Sequence, residues 1–214
     1  MHLRPHAEVA ERVLLPGDPG RALRLAQQLV DTPKMLNHHR GLWGYSGPAA
    51  DGRPLTIQST GIGGPSTAVV AEELIGLGAR RLVRVGTCTG EELGGLVIAE
   101  AALAQDGASR ALGGGEPAAD PTLLAALRAA APDALAGTVL SADLYYDPEP
   151  DRWAAARAIA VDLGTAALFA VAARHGVAAA SVLAVSRAGG RELAPESLEE
   201  VERELGRVGY AAVA

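Results

Sequence analysis

The sequence predicts an α/β fold with helices flanking a sheet. Short runs rich in β-branched and aliphatic residues alternate with longer stretches of helical period, and Gly/Pro clusters separate them. The 214 residues read as one domain spanning 1–214, with no internal repeat and no interdomain linker. That length buries a sizeable core without a metal or a disulfide to hold it.

The elements follow in order. Arg12–Leu15 is a buried strand, and Pro16-Gly-Asp-Pro19 turns it into a helix over 22–29, with Asp18 as cap and Pro19 as first helical residue. Residues 54–59 form a second strand, after an Asp51-Gly52 turn that closes a hairpin. Residues 61–66 are a Gly-rich turn into a helix bearing Val69, Val70, Leu74, Ile75 and Leu77, ended by Gly78. Residues 81–85 are a strand running into Gly86-Thr-Cys-Thr-Gly90, and 96–103 are another. Residues 107–121, rich in Gly, Ala and Pro, read as a loop before a helix over 123–130. A strand over 137–141 leads to a surface loop at 146–151. A strand over 158–162 precedes the helix Thr165–His175, which Gly176 closes. Residues 180–185 are the last strand, and 196–213 an amphipathic helix with Glu/Arg pairs.

Composition narrows the function. Hydrophobic residues make up 49% and charged residues 21%, which excludes disorder. The net charge of −6 and the 3% aromatic content speak against nucleic acid as a partner. Cys88 is the one cysteine, so no intrachain disulfide forms and a reducing, cytoplasmic setting is expected. No apolar run is long enough to span a bilayer, and the start, Met-His-Leu-Arg-Pro-His, lacks a signal-peptide core.

Ligands of open α/β sheets sit where strands end and helices begin. Gly17-Asp-Pro-Gly-Arg21 is one such place: backbone N–H groups at a helix start, with an arginine just inside, make an anion site. Arg84-Val-Gly-Thr87 is a second. An arginine in a strand interior needs either a carboxylate or an anionic ligand to meet it. The Gly61 turn is a third, but it reads G-x-G-G-P-S and no acidic residue ends the next strand, against a dinucleotide site. Ser141–Tyr146, Val161–Gly164 and Val185–Arg187 make a fourth, where Tyr145 and Tyr146 are either lip residues or a platform for a flat ligand.

These segments resemble the nucleoside phosphorylase family of the purine nucleoside phosphorylase and uridine phosphorylase type. The residues that carry the resemblance are Pro16-Gly-Asp-Pro-Gly-Arg21, His39-Arg-Gly41 with Gly44-Tyr-Ser-Gly47, and Ser59-Thr-Gly-Ile-Gly-Gly-Pro-Ser-Thr67. Arg84-Val-Gly-Thr87, Ser141-Ala-Asp-Leu-Tyr-Tyr146 and Ala166-Ala-Leu-Phe-Ala-Val-Ala172 complete them. The match runs from about His2 to about Glu200, and the Ser59–Thr67 run looks most like the uridine branch. The resemblance implies a mixed, partly closed sheet and a pentosyltransferase, with inorganic phosphate as co-substrate and no metal or other cofactor. Such an enzyme cleaves a nucleoside with phosphate to a free base and a pentose 1-phosphate.

By the same resemblance Gly17, Arg21, Arg84 and Thr87 hold phosphate. Arg40 matches an arginine lent across a dimer interface, which implies a homodimer with shared sites and leaves a hexamer open. His2 matches a histidine that reaches the neighbour's sugar; the other reading is a frayed terminus. Tyr145 falls at the family's stacking phenylalanine. The uridine-type Gln and Arg that read the base are absent from Asp147-Pro-Glu-Pro-Asp151, and Arg187 stands where purine enzymes carry an Asp. Arg187 can donate to the departing base but cannot act as a general acid near neutral pH. The ribose motif V-E-M-E reads Val161-Asp-Leu-Gly164 here. Leu163 replaces the packing methionine, Gly164 leaves out the carboxylate that accepts from the diol, and Asp162 stands two residues away on the same face if the strand continues. Arg84 and Arg187 are the expected catalytic residues. Two alternatives stay open: a member that binds phosphate or nucleoside with little turnover, and a hydrolytic nucleosidase.

Overall fold

The computed structural model describes residues 1–149, 153 and 156–214. The N-terminal half contributes strands β1 (Arg12–Leu15), β2 (Lys34–Asn37), β3 (Gly44–Pro48), β4 (Pro54–Gln58) and β5 (Arg81–Thr89), with helices α1 (Pro19–Leu29) and α2 (Gly64–Gly76). The C-terminal half adds β6 (Leu96–Ala104), α3 (Gly107–Ala111), α4 (Pro121–Ala130), β7 (Leu135–Ser141), β8 (Ala160–Asp162), α5 (Thr165–His175), β9 (Ala178–Ala188), β10 (Arg191–Glu192) and α6 (Pro195–Val213).

All these strands join one sheet in the order β10-β9-β6-β7-β8-β5-β1-β4-β3-β2, and β9 pairs a second time, with β5. The ring β5-β8-β7-β6-β9 therefore closes on itself, while β1, β4, β3 and β2 extend from it as an open wing. Pairing is mixed: β1 runs parallel to β4 and β5, and β5 parallel to β9. β6 is antiparallel to β9, and β8 to β5. Closure removes two exposed edges that would otherwise invite pairing with other chains.

The central strands are covered on both faces, which is why they read as continuous apolar runs. All four residues of β1 are buried, and Leu82, Val83 and Val85 of β5 are fully buried. Helices α1, α4 and α6 form one layer, and α2, α3 and α5 another. Asp18 caps α1 as expected, accepting a 2.6 Å hydrogen bond from the Arg21 N–H.

Several expectations change. Residues 107–121 are not all loop: α3 lies inside them, capped by Asp106, and α4 begins at Pro121 with Asp120 as its cap. Each aspartate accepts from backbone N–H groups, which holds a first turn that Gly and Ala alone would not specify. β10 follows the strand taken as the last one, pairing Arg191 with Ala188. β2 and β3 went unread because Gly44, Gly47 and Pro48 carry little strand propensity; β4 imposes the extended form by pairing with β3 from Gly44↔Gln58 to Pro48↔Pro54. The hairpin around Asp51 and Gly52 stands as read. In the surface loop, Pro150 and Asp151 lie outside the described residues.

Candidate active site

The C-terminal ends of β1 and β4, level with the middle of β5, gather the predicted anion site. The loops after β1 and β4 stay zipped together: Thr60 N–H donates to Pro16 O at 2.8 Å and Gly61 N–H to Gly17 O at 3.0 Å. Gly61 and Gly63 have φ of +73° and +89°, a region costly for other residues, so the turn into α2 is built on glycine. Ser66 Oγ closes it on Thr60 O at 2.5 Å.

Arg84 projects from β5 and is 7% exposed. Its Nε lies 3.0 Å from Asp162 Oδ2, so the carboxylate that a buried strand arginine requires is present. Its Nη1 is buried and has no hydrogen-bond partner among the described residues. Asp162 is saturated. Besides Arg84 it accepts from Ser141 Oγ at 2.6 Å, Gly164 N–H at 3.2 Å, Thr165 N–H at 3.0 Å and Thr165 Oγ1 at 2.8 Å. The expectation that Asp162 shares a face with position 164 assumed a continuing strand. β8 ends at Asp162 and α5 starts at Thr165, so the carboxylate turns onto the first turn of α5. Half-buried Leu163 lies between.

Gly164 sits against the same arginine. A Cβ placed there would be 3.5 Å from Arg84 Cζ and 2.7 Å from Thr67 Oγ1. Thr67 is 1% exposed, and its Oγ1 is also buried without a partner among the described residues. Two unsatisfied donors, Arg84 Nη1 and Thr67 Oγ1, thus flank the position that lacks a side chain. Thr87 is half-buried three residues beyond Arg84, in register with Ala184.

Arg21 approaches β5 from α1. It is 5% exposed, its Nη1 lies 3.4 Å from Val85 O, and its Nε lies 2.7 Å from Glu202 Oε1 on α6. Arg21 thus meets the carbonyl of Val85, the residue after Arg84, midway along β5, and each arginine holds its own carboxylate.

The aromatic pair forms a second group. Tyr145 and Tyr146 pack edge to face, with centroids 4.9 Å apart. Arg187 Cζ lies 5.4 Å from the Tyr145 ring centroid, and its Nη1 is 3.4 Å from Tyr145 O. Burial, then the nearby Glu192 carboxylate, holds the Tyr145 phenol above its usual pKa, so it stays neutral.

Arg40 and His2 stand apart from both groups. Arg40 is exposed, without an ion pair among the described residues, and has φ +61°. His2 is tied down rather than frayed: its N–H and ring Nδ1 both meet Glu73 Oε1, at 2.6 and 3.0 Å. Glu73 lies nine residues along α2 from Gly64, about 14 Å at 1.5 Å per residue. Two surface clefts lie by Arg12, Pro54 and Arg81 and by Arg80 and His175; they hold no predicted site residue. The first sits where β1, β4 and β5 begin, the wrong end of a sheet for a ligand.

The family model of the phosphorylase superfamily matches residues 11–213. A DeoD-type purine nucleoside phosphorylase of Geobacillus kaustophilus is 37% identical over 193 residues, covering 84% of this chain and 81% of its own. The enzyme of the same description from Clostridium perfringens is 34% identical, over 84% of this chain and 82% of its own. That from Caldanaerobacter subterraneus is 33% identical, over 84% and 83%. The chain belongs to the nucleoside phosphorylase family. Its reaction class is phosphorolysis of a nucleoside to a base and a pentose 1-phosphate, and the mixed, partly closed sheet is the fold expected of such an enzyme. These relatives are named for purines, whereas the Ser59–Thr67 run pointed to the uridine branch. Among the described residues no cluster of three His, Cys, Asp or Glu could hold a metal, and no helix is long and apolar enough to cross a membrane.

In this phosphorylase the sequence reading missed Thr67, Ser141, Thr165 and Glu202. Three are small hydroxyls that carry no signal until their partners are known. Glu202 did carry one: it falls on the buried stripe of α6 with Leu205, Gly206 and Gly209. A lone carboxylate on an apolar helix face marks a buried partner.

Proposed function

We propose that this chain, working as one domain over 1–214, is a purine-type nucleoside phosphorylase whose sugar site lacks a carboxylate clamp. The observation that carries it is Arg84: Asp162 holds Nε, and buried Nη1 is left to donate to an oxygen that the chain does not supply. Phosphate sits against Arg84, Arg21, Thr87 and the Gly17 backbone, with Arg40 from a second copy completing its charge. One phosphate oxygen bonds to the anomeric carbon as the C–N bond breaks, and the electron pair leaves on the base nitrogen. Fixed guanidinium groups stabilise this charge redistribution without reorganising. Tyr145 stacks on the base and Arg187 donates to its developing anion. Leu163 packs on the sugar. Asp162 positions Arg84 and does not accept from the sugar, since five donors already occupy it. No metal takes part, and the single buried Cys88 suits a cytoplasmic setting.

Shared sites require a homodimer or a multiple of one. Support comes from Arg40, held outward in a costly backbone conformation, and from exposed Trp43 and Ile62 nearby, where Leu42 lies against Gly61. A second reading, slow or absent turnover, is favoured by Gly164 and by the saturation of Asp162. Release of free base from inosine, adenosine and uridine, with and without phosphate, separates the readings. Phosphate-dependent release, faster for the purines, is expected. Release without phosphate would make the chain a hydrolase, and binding without release a low-turnover member. Arg84→Gln should lower kcat/KM by about 10²–10³, read by steady-state kinetics.

A further inference from the structure

The one buried carboxylate of α6 touches the phosphate end of the molecule. Glu202 is 3% exposed. A charge at such a site persists only if other charges meet it. Two do: Arg21 Nε at 2.7 Å from Oε1, and Arg24 Nη2 on Oε2. Arg21 and Arg24 are three residues apart on α1 and so share a face. The Glu199 and Asp18 carboxylates also act on Arg24, so the cluster carries no net positive charge, and Glu202 lends an anion no attraction of its own. What it does is geometric. With Nε ion-paired to Glu202 and Nη1 at Val85 O, the Arg21 guanidinium is held at the middle of β5, on the backbone of the residue that follows Arg84.

We propose that Glu202 is a positioning residue for phosphate, acting through Arg21, and that Arg24 is the counter-charge that makes this possible. α6, the last helix described, thereby becomes part of the phosphate site without touching the ligand. This rests on the reading that Arg21 binds phosphate. The opposite sign is physically conceivable: a carboxylate that competes with phosphate for Arg21 would weaken binding, and its removal would tighten it.

Calorimetric titration of inorganic phosphate into the intact protein, with steady-state kinetics, decides between them. Glu202→Gln keeps the volume and removes the charge. It should weaken phosphate binding about ten-fold, raise the phosphate KM to match, and leave the nucleoside KM and the kcat at saturating phosphate within about two-fold. Glu202→Asp should recover part of the loss. Arg21→Gln should weaken phosphate binding too, and the double variant should be no worse than Arg21→Gln alone, because both act through one group. Additive losses, or unchanged or tighter binding in Glu202→Gln, would overturn the proposal. Wild-type phosphate affinity in Arg21→Gln would instead remove the reading of Arg21 on which it depends. If Glu202→Gln does not fold, Arg24→Gln, whose side chain is 40% exposed, serves in its place. It should weaken phosphate binding about three-fold with the nucleoside KM unchanged, and no change would count against the proposal.

Discussion

Gly164 and Thr67 occupy one small space, and that decides what can be rebuilt there. A carboxylate introduced at 164 begins with a Cβ 2.7 Å from Thr67 Oγ1. Gly164→Glu alone should therefore cost about 1–3 kcal/mol in urea denaturation and gain nothing on ribonucleosides. Adding Thr67→Ala clears the Oγ1, and the double variant should recover the stability and raise kcat/KM for ribose over 2′-deoxyribose substrates. Arg40 gives the reverse pattern. Its φ of +61° is costly for arginine and ordinary for glycine, so Arg40→Gly should leave the melting temperature unchanged or higher while kcat/KM for phosphate falls. A side chain that stabilised the monomer would behave oppositely. At this scale the sequence was informative where chemistry is local: Arg84 in an apolar strand advertised a buried anion or carboxylate. It misplaced Asp162, whose orientation depends on where β8 stops.

Element by element, the helices other than the short α3 were legible because their caps and periods are local. Asp18-Pro19 and Gly176 mark their ends in the sequence itself. The wing strands β2 and β3 were not, because pairing, of β3 with β4 and of β2 with β3, rather than propensity makes them extended. The seat of α6 is likewise a matter of shape. A Cβ on Gly209 would lie 2.5 Å from Val85 Cγ1, so the helix rests almost backbone-on-sheet. Gly209→Ala gains about 1 kcal/mol in helix propensity but overpacks this contact. A net loss of about 1 kcal/mol in urea denaturation is expected, and because Val85 also carries the carbonyl that meets Arg21, the phosphate KM should rise with it.

The described sheet is a five-stranded ring with β10 added to β9 and a four-strand wing, and the wing is fastened by charge as well as pairing. Arg12, buried on β1, meets the Asp51 carboxylate at the hairpin of β3 and β4, with Nη1 2.7 Å from Oδ2. Hydrogen bonding from Arg12 holds the Asp51 carboxyl well below the usual carboxylate range. A depressed folded-state value contributes stability above the unfolded value, near pH 4, and loses it as pH falls toward the folded one. Wild-type stability should thus fall below about pH 4, and Asp51→Asn should show a shallower decline over the same range, measured by urea midpoints against pH. Partial exposure of Asp51 screens the effect and keeps it modest. The sequence by itself determined the α/β class, the caps, the family and the arginines, because each is written in residues close together or in the needs of a single buried charge. Only the tertiary structure decided the closed ring, the double pairing of β9, the inward turn of Asp162 and the grip of Glu202 on Arg21. Apart from the bonds of Asp162 to Gly164 and Thr165, these join groups at least twenty residues apart, and the energy of such contacts exists only once the chain has brought them together.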